Sequence, residues 1–276
     1  MFLHFKSFIL VTSLIFASVF GIAAQAIAPQ TTPAKEDKKD NKTAKSNSAN
    51  SLSAEQVAEL TVFIYGRLVG GRPGLNQIRK TAVERGKITV NNPDGTIENA
   101  NYEMRTMRGE SLDKEKIRFD QEFPSSRFAL LYNDNKIVGV FNDSVFTPRE
   151  EAAKAFQNQI WRGLEALLRY KENGATATLS GKEKYMGAEY YVLELTDKES
   201  RKTRFFVSVK TFRIMSLEYT EGEIKYQRRF YDYRESQGTL VPYRSVLFAN
   251  GKQIEEITTS TVTYGQKLEE AIFQTN

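Results

Sequence analysis

The side chains that most often carry out chemistry in proteins are nearly absent from this sequence. The chain of 276 residues contains no cysteine, and its only histidine is His4. Because His4 lies in a segment that we expect to be removed on export, the mature chain is predicted to contain neither residue type. This excludes Ser-His and Cys-His nucleophilic pairs, imidazole general bases, and metal sites built on histidine or cysteine.

Carboxylates are the remaining candidates for catalysis. Two pairs lie close together in the sequence, Glu221 with Glu223 and Asp232 with Glu235, and both pairs fall at predicted turns. Solvated side chains are usual at such positions. Residues 133–135, with the sequence NDN, could begin a calcium loop, but the loop is short and lacks the distal glutamate. We therefore predict no catalytic residue, no metal site and no cofactor, and hence a protein that is not an enzyme.

Two N-terminal segments precede the predicted fold. Residues 1–26 combine a basic start, an apolar run and a final small-x-small sequence, AQA, which is typical of a cleaved signal peptide. The apolar run is also close to the ~18 residues of a spanning helix, so an uncleaved inner-membrane anchor is the alternative. Residues 27–53 are polar and are predicted to form a disordered linker. Residues 54–276 are predicted to form one periplasmic domain.

Two helices are predicted within this domain. Ser53 is a good N-cap with Gln56 at the capping-box position, and apolar residues follow at helical spacing until glycines and Pro73 end the helix. A second helix is predicted over residues 149–172, where apolar residues form a stripe along one side. It separates two groups of strands.

Twelve strands make up most of the domain, five before the second helix and seven after it. Their turns recur about every ten residues, a spacing typical of an antiparallel meander. The predicted strands are residues 78–90, 97–108, 116–123, 128–132, 136–141, 177–180, 189–196, 202–209, 214–220, 224–233, 240–249 and 253–264.

The last strands are apolar on both faces, which is unusual for a sheet with one solvated side. Tyr226 and Phe230, for example, alternate with Tyr231 and Tyr233. One face can pack against a helix, while the other needs a cover, a partner or a ligand. A closed barrel or sandwich with tyrosines at its rim fits this pattern, and so does a strongly curved open sheet around a helix. Pro242 within a strand suits an edge or bulge, and hence an incomplete barrel.

Several segments resemble the LolA/LolB-like periplasmic lipoprotein-carrier superfamily, which includes outer membrane lipoprotein-sorting-like proteins and RseB/MucB-like half-barrels. The resemblance is carried by residues 204–219, RFFVSVKTFRIMSLEY, and by residues 226–273, where a DYR strand end, a glycine turn and a VP strand start precede a Thr-rich last strand. Residues 70–90 are similar to the first helix exit and first strand of related exported proteins. No individual functional residue follows from this likeness.

The resemblance implies a mainly β (α+β) fold. A single antiparallel, strongly curved half-barrel sheet of about eleven strands would hold helices in its concave face. Members bind lipid or lipoprotein acyl chains, or sense components of the cell envelope. We therefore expect an exported carrier or binding protein for a lipid or lipoprotein acyl chain. The alternative is an envelope interaction or sensor module that docks a protein partner without catalysis.

An apolar groove in the concave face is the expected binding site. An acyl chain of about 16 carbons needs roughly 12 kcal/mol of shelter, at ~0.8 kcal/mol per methylene, which an enclosed groove can supply and a surface patch cannot. The second helix is expected to act as a mobile plug that the ligand replaces. The groove candidates are Phe156, Ile160, Trp161, Leu164, Met215, Leu217, Tyr219, Tyr226, Phe230 and Phe248.

The expected partners follow from export and from the groove. They are a lipid or an acylated lipoprotein, together with membrane proteins of the cell envelope, and the protein is expected to be a monomer. Arg228, Arg229 and Arg234 in the late strands would serve solubility or contact anionic lipid head groups. Arginines interleaved with aromatic residues can also bind RNA, but export argues against a nucleic-acid partner.

Overall fold

The structure is a computed structural model that describes residues 52–142, 144–185 and 187–274. The predicted signal peptide, residues 1–26, lies outside the described residues, and so does the predicted linker up to residue 51. Within the described part of the chain, no helix is both long and apolar enough to cross a membrane.

A single antiparallel sheet of thirteen strands forms the frame of the domain. The sheet is open and curled, which confirms the predicted half-barrel, although about eleven strands were expected. All twelve strands predicted from the turn spacing form, and β6 is additional. The strands are β1 Thr81–Asn91, β2 Ile97–Met107, β3 Lys116–Glu122, β4 Arg127–Asn133, β5 Lys136–Phe141, β6 Ser144–Phe146, β7 Thr176–Tyr185, β8 Ala188–Thr196, β9 Lys202–Ser208, β10 Ile214–Glu221, β11 Ile224–Ser236, β12 Thr239–Ala249 and β13 Lys252–Tyr264.

The strand order joins the two halves of the chain at the centre of the sheet. The order is β6-β5-β4-β3-β2-β1-β13-β12-β11-β10-β9-β8-β7, so each strand pairs with its sequence neighbour except where β1 meets β13. Ile88 lies opposite Ile257 in this central pair. The two edges of the sheet are β6 and β7. The chain that connects them must therefore cross from one edge to the other, and it does so over the concave face.

The described part of the chain forms four α-helices beside the sheet. They are α1 Ala54–Tyr65, α2 Arg72–Ile78, α3 Glu150–Trp161 and α4 Leu164–Leu168, and short 3₁₀ helices lie at Arg67–Val69, Leu112–Lys114 and Glu270–Phe273. The capping box predicted for α1 is confirmed. The Gln56 backbone N–H donates to Ser53 Oγ at 3.2 Å, and the Ser53 N–H donates to Gln56 Oε1 at 2.8 Å.

Helix α2 differs from the sequence prediction. Pro73 is expected to end the first helix, but it lies in the first turn of α2 instead. Proline is well tolerated there because the first backbone N–H groups of a helix have no intrahelical partner. The predicted strand from residue 78 consequently begins three residues later, at Thr81.

The second helix also differs, because residues 149–172 do not form one continuous helix. It is divided at Arg162 and Gly163 into α3 and α4. A Cβ atom at Gly163 would clash with the carbonyl oxygen of Gln159 in the last turn of α3, so the path of the chain out of α3 requires glycine.

The hydrophobic core lies between the concave face and the helices. Its largest fully buried side chains include Tyr65 of α1, Leu167 and Leu168 of α4, and Phe205 and Leu217 of the sheet. Helix α3 contributes Phe156, Ile160 and Trp161 to the same cluster. The helices therefore cover the apolar inner face of the sheet, as the double-sided pattern of the late strands predicts.

Candidate functional site

A cavity of about 230 Å³ lies between the concave face and helices α3 and α4. Strands β1, β2 and β3 form one side of its wall, and strands β11, β12 and β13 form the other. Its apolar surface includes Phe156 and Ile160 of α3, Leu164 of α4, and Phe230 and Ile257 of the sheet. The ring of Phe156 also stacks on Phe119 of β3, with 5.9 Å between the ring centroids.

Four of the ten predicted groove residues line this cavity: Phe156, Ile160, Leu164 and Phe230. Leu217 is buried in the adjoining core. The other five predicted residues lie outside the cavity lining.

Trp161, Tyr219 and Tyr226 lie at the α3 end of the core. The Arg201 guanidinium covers the Trp161 ring, 4.4 Å from its centroid. Tyr219 and Tyr226 stack on each other at 5.1 Å, and Arg162 lies over the Tyr219 ring. The Trp161 and Tyr219 rings thus have arginine partners, and Tyr226 stacks on Tyr219.

Met215 and Phe248 depart from the faces that strict alternation predicts. A register irregularity between Ile214 and Ser216 puts Ile214, rather than Met215, in the core. Phe248 pairs with Gln227, and its ring stacks with Arg229. Because neighbouring residues of a strand alternate between faces, Phe248 lies on the face opposite Phe230 and the cavity.

Charged residues that sequence reasoning missed form the polar part of the cavity wall. Arg79 donates to Glu165 at 2.7 Å and to the Leu240 carbonyl oxygen at 2.9 Å. Arg108 forms an ion pair with the same carboxylate. Arg79 follows α2, Arg108 follows β2, and Glu165 lies in the first turn of α4. These positions belong to no recognisable motif, so only the fold brings them together.

A second buried ion pair adjoins the first. Arg169 binds Glu115, and both side chains are at most 5 % exposed. Arg169 also donates to the carbonyl oxygens of Gly109 at 2.7 Å and Glu110 at 3.2 Å. Burial raises the pKa of Glu115 to about 7, against the opposing charges of Arg108 and Arg169.

The pKa of Glu165 shifts in the opposite direction. Burial alone would raise its pKa, but the positive charges of Arg108 and Arg79 outweigh burial and lower it below the ordinary value. Glu165 therefore remains ionised as the shared partner of two arginines. Burial lowers the pKa of Arg108 itself, which indicates incomplete compensation of its charge.

Glu84 is the carboxyl group of the cavity wall without an arginine hydrogen bond in the described structure. The Tyr102 hydroxyl donates to Glu84 Oε1 at 2.5 Å, and Thr259 Oγ1 lies 3.2 Å from the same oxygen. Burial raises the pKa of Glu84 despite these hydrogen bonds. Nearby, Arg228 donates to Glu255 at 2.9 Å, so this arginine has a carboxylate partner.

Helix α3 is attached to the sheet by few polar contacts. Lys154 forms an ion pair with Glu221 at 2.6 Å, and Asn158 donates to the same carboxylate at 3.3 Å. At the end of the helix, Arg162 donates to the Lys202 carbonyl oxygen at 2.7 Å. Glu221, one of the carboxylates for which solvation was expected, therefore contacts α3. Among the described residues, no cluster of acidic or histidine side chains is suited to a metal ion.

A more open depression of about 550 Å³ lies over α1. Leu60 and Phe63 line it, and they are 36 % and 50 % exposed. Leu68 in the following 3₁₀ helix is 56 % exposed. The surface near α1 therefore carries large apolar side chains outside the core.

No protein-family model matches the chain, and no curated protein matches its sequence. Solved structures nevertheless match most of it. A DUF1329 family protein from Desulfovibrio piger is similar with a TM-score of 0.59 and 13 % identity, over 81 % of this chain and 98 % of that one. A LolA superfamily protein from Nitrosomonas europaea gives 0.57 and 16 %, over 81 % and 98 %.

A domain from Vibrio parahaemolyticus assigned to outer membrane lipoprotein sorting gives a TM-score of 0.55 and 15 % identity, over 80 % of this chain and 97 % of that one. At such identities the likeness establishes the fold. The chain thus has the LolA-like half-barrel fold that the sequence resemblance implies, with a cavity of mixed polarity beneath its helices.

Proposed function

We propose that this chain is an exported, periplasmic carrier or binding protein for the acyl chain of a lipid or lipoprotein. The observation that carries the proposal is the cavity between the concave face and α3, a helix held by three buried side chains. The binding role is non-catalytic, and the expected partners are lipids, acylated lipoproteins and membrane proteins of the envelope.

The size of the cavity implies that α3 moves during binding. Its volume of about 230 Å³ is below the ~300–1,000 Å³ that is usual for ligand pockets. Withdrawal of Phe156 and Ile160 would extend the cavity along the apolar inner face. The ligand would then cover the surface that α3 uncovers. Because the two apolar areas are similar, exchange would need little net free energy.

Gly163 is the natural pivot for this motion. The residues of α4 that follow it, among them Leu167 and Leu168, are fully buried, so α4 is expected to stay in place. Only α3 would swing away. The sequence predicts that the whole helix over residues 149–172 moves. The proposed mobile segment is shorter and comprises only α3, Glu150–Trp161.

Fluorescence of Trp161, the only tryptophan, tests this function directly. Titration of the full-length chain with palmitate or an acylated peptide should change the emission and raise the thermal midpoint. Ile160→Trp would fill the cavity and should abolish the stabilisation. Ile97→Trp introduces the same side chain at a position that is 63 % exposed, and it should bind normally. The proposal is wrong if neither ligand affects the wild-type chain.

The open depression over α1 favours a second candidate, an envelope interaction module that docks a protein partner. Exposed Leu60, Phe63 and Leu68 offer the apolar contacts that such docking uses. Phe63→Ser distinguishes the two functions. It should leave palmitate binding intact if the protein is a carrier. A stoichiometric protein complex that is lost in Phe63→Ser, together with an absence of palmitate binding, would favour the interaction module.

A further inference from the structure

The charged groups around the cavity are unequally paired. Four arginines and four glutamates line it or contact its lining residues: Arg79, Arg108, Arg169, Arg228, Glu84, Glu115, Glu165 and Glu255. Formal charge is balanced only if every carboxyl group is ionised. Glu84, however, has hydroxyl groups rather than an arginine as its hydrogen-bond partners. Its neutral form, which burial favours, leaves an excess of positive charge.

Among these four arginines, Arg108 has the fewest hydrogen-bond acceptors in the described structure. Arg79 and Arg169 each bind a carboxylate and at least one backbone carbonyl oxygen. Arg108 has the Glu165 carboxylate as its side-chain partner, and it shares that carboxylate with Arg79. Its Nη1 atom is buried without a hydrogen-bond partner among the described residues, and the whole side chain is 9 % exposed. The Nε atoms of Arg79 and Arg169 also lack a partner there, but both of these arginines use their terminal nitrogens in hydrogen bonds. A buried guanidinium donor in this condition is costly unless an acceptor reaches it.

The location of Arg108 determines which acceptor could do so. Arg108 is part of the cavity wall, together with Thr106 and Glu84 on one side and the apolar side chains of α3 on the other. An anionic oxygen inside the cavity would be close to a guanidinium and would leave apolar surface for the rest of the molecule. A guanidinium binds carboxylate and phosphate oxygens with similar geometry.

We propose that Arg108, supported by Arg79, binds the anionic head group of an amphiphile whose acyl chain occupies the space beside α3. This inference rests on the proposed carrier function and specifies its ligand class. The shared chemistry is an anionic oxygen, which a fatty-acid carboxylate or a lipid phosphate can provide. The head group would supply an acceptor to Arg108 Nη1, which has none among the described residues.

Three amphiphiles with the same acyl chain test the proposal on the full-length protein. They are palmitate, 1-palmitoyl lysophosphatidate and neutral 1-monopalmitoylglycerol, each used below its critical micelle concentration and followed by Trp161 fluorescence. At least one anionic ligand should bind about tenfold or more tightly than the neutral ligand, as is typical of a hydrogen bond to a charged group. If only lysophosphatidate binds more tightly than the neutral ligand, the preferred head group is a phosphate. If only palmitate does so, the preferred head group is a carboxylate.

Variants at Arg108 test the assignment to this residue. Arg108→Gln should reduce anionic binding to the neutral level and leave monopalmitoylglycerol binding unchanged, and Arg108→Lys should retain part of the preference. Arg85→Gln removes the same charge from an exposed position of β1 and should change nothing. If Arg108→Gln does not fold, the comparison of anionic and neutral ligands on the wild-type chain still tests whether the cavity binds an anionic head group.

Two negative results have different meanings. Equal binding of the neutral and anionic ligands would overturn the head-group site and leave the carrier function standing. Failure of all three amphiphiles to bind would overturn both. If a folded Arg108→Gln protein still prefers anionic ligands, a group other than Arg108 binds the head group, and the assignment to Arg108 is wrong.

Discussion

Helices α1 and α3 have twelve residues each and both pack against the concave face, but they are held very differently. Five residues of α1 are buried, all at 1 % exposure or less, and a capping box closes its first turn. Helix α3 buries three residues, at 3–8 % exposure, and in the described structure no side chain caps its N-terminus. Helix α1 is thus more deeply buried against the sheet than α3, which covers the cavity.

The polar contacts of the two helices reinforce this difference. The Tyr65 hydroxyl at the end of α1 lies 2.9 Å from the Tyr233 hydroxyl and accepts from the Ile214 N–H at 3.3 Å. These bonds tie α1 to β10 and β11 within the core. The Lys154–Glu221 pair of α3 is partly exposed, with the lysine side chain at 51 %. Exposed ion pairs contribute little to stability, so the Lys154–Glu221 pair adds little to the attachment of α3.

The largest expected effect comes from truncating a buried aromatic residue in each helix. Tyr65→Ala should cost about 3–5 kcal/mol of unfolding free energy, since it removes a fully buried ring and leaves the Ile214 N–H without its acceptor. Phe156→Ala should cost less, about 3 kcal/mol, because the buried Phe156 ring makes no hydrogen bond whose loss would leave a partner unpaired. Urea unfolding measures both values. Equal losses would mean that α3 belongs to the core as firmly as α1.

A substitution at the α3–α4 junction is expected to have a smaller effect. Gly163→Ala forces a Cβ atom against the Gln159 carbonyl oxygen, and such overpacking costs about 1–3 kcal/mol. Glu151→Ala, on the exposed side of α3, is the control and should change stability by less than about 0.5 kcal/mol. Wild-type stability of Gly163→Ala in urea would show that the junction relaxes freely and does not fix the position of α3.

Removing an exposed lysine that pairs with α1 or α3 shows how much such ion pairs hold each helix. Lys154→Ala should destabilise the protein by less than about 1 kcal/mol, and it should tighten palmitate binding about two- to fivefold by favouring release of α3. Lys171→Ala is the matched control, because Lys171 pairs with Glu55 and Glu59 of α1 and is 48 % exposed. Isothermal titration should give unchanged affinity for this variant. Equal affinities of the two variants would contradict the selective release of α3.

The smallest expected effect is a pH dependence of α3. Burial would raise the pKa of Glu221, but the hydrogen bond and charge of Lys154, with the Asn158 hydrogen bond, lower it below the ordinary 4.5. A lowered pKa means that the stabilisation is present above pH 4.5 and is lost as pH falls through the folded value. Trp161 emission should therefore change on acidification below about pH 4.5. Glu221→Gln should remove this transition, and its persistence would assign the change to another group.

The strands and turns of this protein were largely predictable from sequence. Alternating apolar residues and turns such as Asp94-Gly95 mark twelve of the thirteen strands, and Ser53 with Gln56 marks the start of α1. These signals are local, since each depends on residues a few positions apart. The three-residue edge strand β6 is too short for a periodic pattern, so it was missed.

The site was less predictable because it depends on distant contacts. The apolar stripe placed Phe156, Ile160 and Leu164 on one helix, but Leu164 belongs to α4. The periodicity of the stripe continues through Gly163 and does not reveal the break. Arg79 and Glu165 are 86 residues apart, and they meet only because the sheet brings α2 and α4 together. A charge on a turn or strand end carries no sign of burial in the sequence.

Hydrogen exchange of the backbone amides tests the central claim most directly, since it reports the opening of α1 and α3 separately in one sample. We predict that the amides of Glu150–Trp161 exchange faster than those of Ala54–Tyr65 in the free protein. Palmitate at saturating concentration should increase exchange in α3 further and leave α1 unchanged. Equal protection of the two helices, unaffected by palmitate, would contradict a mobile cover and with it the proposed route of ligand binding.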